Sequence, residues 1–180
     1  PRARRSASIS TKAKWFNHEW IKKFEVSGLR FEVKNLLIKN NIIVSDDPLL
    51  DKIIELVKER CTLLTDFVQQ SSFFFKAPEN PDVDAVNPKW NAQKDLFFIE
   101  LIKIFSSAQS WQHKELEEEF KKLADANGIK PGELLLPLRI MLVGGKFGPP
   151  VFNIAEILGR QETITRIEKV LEILKQKPER

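Results

Sequence analysis

Apolar residues recur along this chain every three or four positions, the spacing of an amphipathic helix, and the strict alternation of a strand is scarce. A first short segment carries Ala13, Phe16, Trp20 and Phe24 close to one helical face. The pattern predicts further helices over residues 29–39, 49–59, 61–75, 90–106, 111–127, 130–143, 151–158 and 160–175. The predicted fold class is all-α, without a sheet.

Local signals predict where several of these helices begin and end. Residues 45–48, Ser-Asp-Asp-Pro, indicate a helix start, with an acidic cap and a proline suited to the first turn. Gly128 and Gly159 are typical of residues that follow a helix. Pro137 predicts a break inside residues 130–143, because proline removes an amide donor from the helix interior.

Prolines and short polar residues interrupt the helical pattern between residues 76 and 89. We therefore predict two small helical lobes, one over residues 1–82 and one over residues 83–180. The aromatic residues at helical spacing, Trp15, Phe16 and Trp20, and the run at residues 73–75 are expected in the core or between the domains.

Charge is spread unevenly. The chain has 42% hydrophobic and 30% charged residues, typical of a folded globular domain, and a net charge of +4. Residues 1–40 contain ten Lys or Arg against three Glu, a local charge of +7. This pattern favours a phosphate-binding surface and a solvated helix face about equally.

The residues that carry chemistry are few. Cys61 is the single cysteine, which excludes an internal disulfide, and it fits a reducing compartment. His18 and His113 lie far apart, so a metal centre is not expected, and neither a glycine-rich phosphate loop nor a nucleophile beside a base is present. No apolar run is long enough to cross a bilayer. We expect no catalytic residue, and we interpret Pro1 as an interior position of a longer protein.

Three stretches resemble the C-terminal region of bacterial glutamyl-tRNA synthetases. They are KAKWFNHEWI at residues 12–21, LVKERCTL at residues 56–63, and PGELLLPLR at residues 131–139 continuing through Gly144 and Pro149 to LGR at residues 158–160. The third stretch is the most specific, because proline, arginine, glycines and helix ends recur at matching intervals. The resemblance covers nearly the whole chain.

The resemblance implies two helical domains that bind the anticodon, the first beginning with a helix that contacts the tRNA stem. Members of the family carry HIGH and KMSKS signatures in a preceding catalytic domain, and neither occurs here. We therefore expect a cytoplasmic, monomeric module that binds glutamate tRNA without charging it. It should need no cofactor, with ATP and magnesium held by the catalytic domain of the parent glutamate–tRNA ligase.

Arg60 is the first candidate for reading a base. By resemblance it matches the arginine that reads the third anticodon base, which is cytosine in glutamate tRNAs. A guanidinium offers only hydrogen-bond donors, cytosine offers acceptors at O2 and N3, and the guanine of glutamine tRNAs would oppose donor to donor. Without the resemblance, Arg60 reads as an ordinary exposed helix arginine.

The second candidate is Arg139, which the resemblance implies contacts anticodon bases; an alternative is a structural arginine that braces Glu156. The following turn adds Lys146 for a phosphate, Gly148 for close approach of backbone to a base, and free amides at the start of the helix at Val151. Some relatives carry threonine where this chain has Gly148, and glutamine where it has Leu136. Backbone contacts can therefore replace side-chain reading of the middle base.

Three lysines near the start, Lys14, Lys22 and Lys23, are candidates for contacts to the tRNA backbone, which position the ligand without specifying it. The competing interpretation of the whole chain is a helical protein-interaction domain whose charged faces only keep it soluble.

Overall fold

The computed structural model describes residues 19–176, and no strand forms within them, which confirms the all-α fold class. Residues 19–23 are helical. They are followed by α1 (Val26–Lys39), α2 (Asp47–Val57), a 3-10 turn (Lys58–Arg60) and α3 (Asp66–Phe75). The described chain divides after Lys76 into two compact units.

The first unit is built around the contact between α1 and α2, with α3 packed against both. α1 buries one residue per turn, and α2 buries a broader stripe. These core residues are Leu29, Val33 and Leu37 of α1, and Leu50, Ile53, Ile54 and Val57 of α2. Two ion pairs flank this contact, Arg30 with Asp51 and, at 2.6 Å, Lys34 with Asp47. The basic side chains of α1 at these positions are thus engaged within the unit.

The predicted start of α2 is confirmed. The Asp46 carboxylate accepts a hydrogen bond of 2.9 Å from the amide of Leu49, and Pro48 lies in the first turn. This cap satisfies one of the amides that helix geometry leaves without a partner.

The predicted helix over residues 61–75 is wrong at its first turn. Cys61 has extended backbone angles, and α3 begins only at Asp66. The Asp66 carboxylate accepts hydrogen bonds from the amides of Thr62 and Leu63, at 2.8 and 2.9 Å. Because a carboxylate satisfies these amides, the chain turns here and does not continue as a helix.

Cys61 is fully buried, and its Sγ lies 3.4 Å from the carbonyl of Val57. Burial raises the pKa of the thiol from its ordinary 9.0 to about 12; Asp66 adds to this shift and Arg60 opposes it.

We expect the stability of the protein to depend on this thiol at alkaline pH. The folded thiol keeps its proton where the unfolded one loses it, so the stabilisation is complete below pH 9 and is lost as the pH rises towards 12. Urea unfolding of wild type and Cys61→Ala at several pH values should show wild type losing stability relative to the variant above pH 9. A pH-independent difference would contradict this assignment.

The second unit contains two 3-10 turns (Val83–Ala85 and Asn87–Lys89) and five helices. These helices are α4 (Ala92–Ser107), α5 (His113–Ala126), α6 (Pro131–Val143), α7 (Val151–Leu158) and α8 (Arg160–Gln176). α8 packs against α4, α6 and α7, while α5 packs against α4, α6 and α7. The core holds edge-to-face aromatic pairs, Phe97 with Phe120 at 5.3 Å and Phe120 with Phe152 at 5.2 Å between ring centres.

The division lies earlier than the sequence indicated: residues 77–82, assigned there to the first lobe, belong to the second unit. The amide of Asp82 donates to the carbonyl of Gly144 at 2.9 Å, and Pro78 and Pro81 lie against Gly144. The proline-rich segment therefore packs on the end of α6, a contact between residues about sixty positions apart that local sequence does not reveal.

Pro137 does not break the helix. It lies buried inside α6, which is continuous from Pro131 to Val143. Proline removes the bond to the carbonyl four residues earlier, which belongs to Glu133, and Glu133 is exposed. Water can replace the missing donor there, so the helix persists.

The aromatic prediction holds in part. Phe73 and Phe74 are buried, but Trp20 is 51% exposed and packs against Phe24 in a tilted arrangement, at 4.3 Å between ring centres. Trp15 and Phe16 lie outside the described residues. Within residues 19–176, no helix is both long and apolar enough to cross a membrane.

Candidate nucleic-acid interface

The loop between α6 and α7, residues 144–150, is fastened at its first residue. Gly144 ends α6 with a positive φ of 80°, a conformation that favours glycine, and its amide donates to Ile140 at 2.9 Å. Its carbonyl receives the amide of Asp82. The loop therefore leaves α6 in a direction set by three backbone features.

Arg139 fastens the other end of the loop. Its Nη1 donates to the carbonyl of Pro149 at 2.6 Å, and the side chain is half-buried. A Cβ added to Gly148 would lie 3.2 Å from this nitrogen, and the φ of Gly148 is 156°. Gly148 and Pro149 are themselves buried. The glycine predicted to let a base approach thus makes room for the Arg139 guanidinium.

The start of α7 offers backbone donors. Pro150 precedes the helix without a side-chain cap, and the first intrahelical bond runs from Ile154 to Pro150 at 3.1 Å. Helix geometry leaves the amides of the first turn without an intrahelical acceptor and gives this end a partial positive charge. The side chain of Val151 is buried, so the predicted contact at this residue is open to its backbone and not to its side chain.

Lys146 extends from the same loop into solvent. Its Nζ lies 3.7 Å from the Asp82 carboxylate, with the two side chains 52% and 44% exposed. An ion pair this exposed contributes little and exchanges readily for another anion. Arg139, Lys146, Gly148 and Val151 are thus brought together around one loop.

A clamp between α5 and α7 was not foreseen. Oε2 of Glu156 lies 2.7 Å from the backbone nitrogen of His113 and 2.6 Å from its Nδ1. Close by, the indole of Trp111 donates to the carbonyl of Ala155 at 2.9 Å. These bonds orient α7, and through it the loop. They join residues more than forty positions apart, and no pattern in the sequence marks them.

The first unit carries the remaining candidates. Arg60 ends the 3-10 turn after α2, is exposed, and has no carboxylate within ion-pair distance among the described residues. Lys22 and Lys23 are also exposed. Lys14 lies outside the described residues. In the described part of the chain, no three His, Cys, Asp or Glu side chains are grouped as metal ligands.

Comparison with known proteins identifies the family to which the chain belongs. A family model described as an anticodon binding domain matches residues 13–171, which include every described candidate. The chain belongs to the anticodon-binding domain family.

Solved structures of similar proteins share this anticodon-binding fold. A glutamate tRNA ligase from Elizabethkingia meningosepticum, crystallised with its amino acid, is 37% identical with a TM-score of 0.82, and the match covers 91% of this chain and 32% of that one. A glutamate-tRNA synthetase from Elizabethkingia anophelis is 37% identical with a TM-score of 0.77 and coverages of 90% and 31%.

Curated relatives agree. The glutamate–tRNA ligase of Porphyromonas gingivalis is 32% identical over 163 residues, 91% of this chain and 32% of that protein. The chain thus spans about a third of the length of the relatives it matches. The resemblance to the glutamyl-tRNA synthetase C-terminal region is confirmed.

Proposed function

We propose that this anticodon-binding domain is the RNA-reading part of a cytoplasmic glutamate–tRNA ligase and that its ligand is the anticodon loop of glutamate tRNA. The observation that carries the proposal is the match, over nine-tenths of the chain, to proteins named glutamate–tRNA ligase. In this proposal the ATP- and magnesium-dependent ligation belongs to the other two-thirds of such a protein. The domain acts as a monomer.

The geometry of the second unit supports this function. Unpaired anticodon bases expose edges and faces, and the phosphates beside them carry charge. Arg139 presents a guanidinium that is held by Pro149, Lys146 presents an exposed cation, and the start of α7 presents amides. Cations and amide donors at one loop suit base acceptors and phosphate oxygens.

In the first unit, Arg60 is proposed to read the third anticodon base. Arg60 is exposed, and no carboxylate of the described residues lies within ion-pair distance of it, so its hydrogen-bond donors are available to a ligand. Lys22 and Lys23 are proposed to contact the RNA backbone.

The function is tested by measuring the affinity of the 180-residue chain for glutamate tRNA over a range of salt concentrations. Affinity should fall steeply as salt rises, because each phosphate contact releases counterions. Glutamate tRNA should also bind more tightly than a tRNA with an unrelated anticodon. Equal binding to any polyanion, or no binding, would favour the helical protein-interaction domain.

Arg139 is predicted to contribute through its fork as well as its charge. Arg139→Ala should weaken RNA binding about tenfold, the effect of losing a charged hydrogen bond of roughly 1.5 kcal/mol. Arg139→Lys should recover only the salt-dependent part of that loss, because a lysine keeps the charge without the planar fork. Titrations at two salt concentrations measure both. A Lys variant with full affinity would show that only charge matters.

A further inference from the structure

Phe147 holds a large apolar ring in solvent at the loop of residues 144–150, with 82% of its surface exposed. The large hydrophobic residues exposed elsewhere in the second unit, Leu96, Leu135 and Leu136, are 59%, 39% and 37% exposed. A ring so fully exposed contributes little to folding. The ring is therefore available for contact with a ligand.

The backbone on either side of this ring is fastened. Before it, Gly144 is held by Ile140 and Asp82 through backbone hydrogen bonds of 2.9 Å. After it, Gly148 and Pro149 are buried, and Pro149 accepts from Arg139. The ring is thus carried by a backbone that is already positioned, so placing a ligand on it requires little ordering of the loop.

The groups around the ring are donors and cations. Lys146 precedes Phe147 in sequence, and the Arg139 guanidinium lies against Gly148, the residue that follows it. The start of α7, which has no side-chain cap, comes four residues after Phe147. A flat apolar face beside donors for anions matches a nucleotide, which has a flat base with a phosphate attached. The Asp and Glu side chains of an acidic protein segment would pair with the cations but have no ring to stack on Phe147.

We propose that Phe147 is a stacking platform for one of the three anticodon bases of the bound RNA loop, with Lys146 on a phosphate beside it. This inference rests on the proposed function and extends it. Arginines read the edge of a base, whereas a ring contacts its face, and every base has such a face. Phe147 therefore adds affinity without selecting a base.

The test is a double-mutant cycle that combines a substitution in the protein with the removal of a base from the RNA. The 180-residue chain and its Phe147→Ala variant are titrated with a fluorescent hairpin carrying the glutamate anticodon, and with three hairpins each abasic at one anticodon position. Phe147→Ala should bind the intact hairpin about tenfold more weakly. At one position, the abasic site should weaken wild type by a similar factor and the variant hardly at all.

Matched variants separate stacking from other effects. Phe147→Trp should retain the affinity, because it keeps an aromatic face. Phe31→Ala, which removes a ring 70% exposed in the first unit, should leave the affinity unchanged. Wild-type affinity in Phe147→Ala, or abasic losses equal in both proteins at all three positions, would overturn the platform while leaving the proposed function standing. Failure of wild type itself to prefer the glutamate hairpin would overturn both.

Discussion

Replacing Phe120 with alanine should lower the free energy of unfolding by about 3–5 kcal/mol, the range for removing a fully buried phenylalanine. Phe120 is fully buried on α5 and meets Phe97 of α4 and Phe152 of α7 edge to face. The variant would leave a cavity between three helices and would lose both aromatic contacts. Chemical denaturation followed by circular dichroism measures the change.

The same substitution should also weaken RNA binding, because Phe152 lies in the first turn of α7, whose amides the proposed site uses. For the stability measurement, Phe147→Ala is the matched control, since it removes the same ring from an exposed position. It should change stability by less than about 0.5 kcal/mol, as is usual at the surface. A loss below about 1 kcal/mol for Phe120→Ala would show that the second unit does not depend on this aromatic cluster.

Replacing Arg60 with glutamine should remove the preference for cytosine at the third anticodon position. We expect wild type to favour cytosine over guanine there by about 1–3 kcal/mol, the worth of one good bidentate contact. Glutamine offers a donor and an acceptor, so it can pair with either base and should bring the two affinities close together. Titration with two hairpins that differ only at this base measures the ratio.

Loss of charge needs its own control in that experiment. Lys52→Gln removes one exposed positive charge from α2 in the same unit and should weaken both hairpins equally. An unchanged ratio in Arg60→Gln would show that Arg60 does not read the third base, whatever happens to overall affinity.

The sequence predicted the helices best where neighbouring residues such as proline and glycine determine their ends. α7 has the predicted bounds, because Pro150 and Gly159 flank it. The turn at Cys61 was also locally encoded, by Asp66 within reach of two amides, but a continuous apolar pattern concealed it. Pro137 could not be judged alone, because its cost depends on whether the carbonyl it leaves faces water.

In the candidate site, too, the features set by nearby residues were predictable, and those set by tertiary packing were not. Arg139 and residues 146–151 could be grouped from sequence because Arg139 lies on the helix that leads into this loop, and Val151 starts the helix that follows it. The hydrogen bond from Arg139 to Pro149, the burial of Gly148 and the exposure of Phe147 depend on how that loop folds back. The clamp of His113 on Glu156 depends on tertiary packing between two helices, which periodicity within each does not report.

The hydrogen bond from Asp82 to Gly144 bears on how the second unit can be isolated. A recombinant piece that starts at Val83 would omit Pro78, Pro81 and Asp82 and would uncover the carbonyl that orients the loop. One that starts at Ala77 retains all three. Truncation six residues too late would therefore disturb the loop that is proposed to bind RNA, although every helix of the unit would still be present.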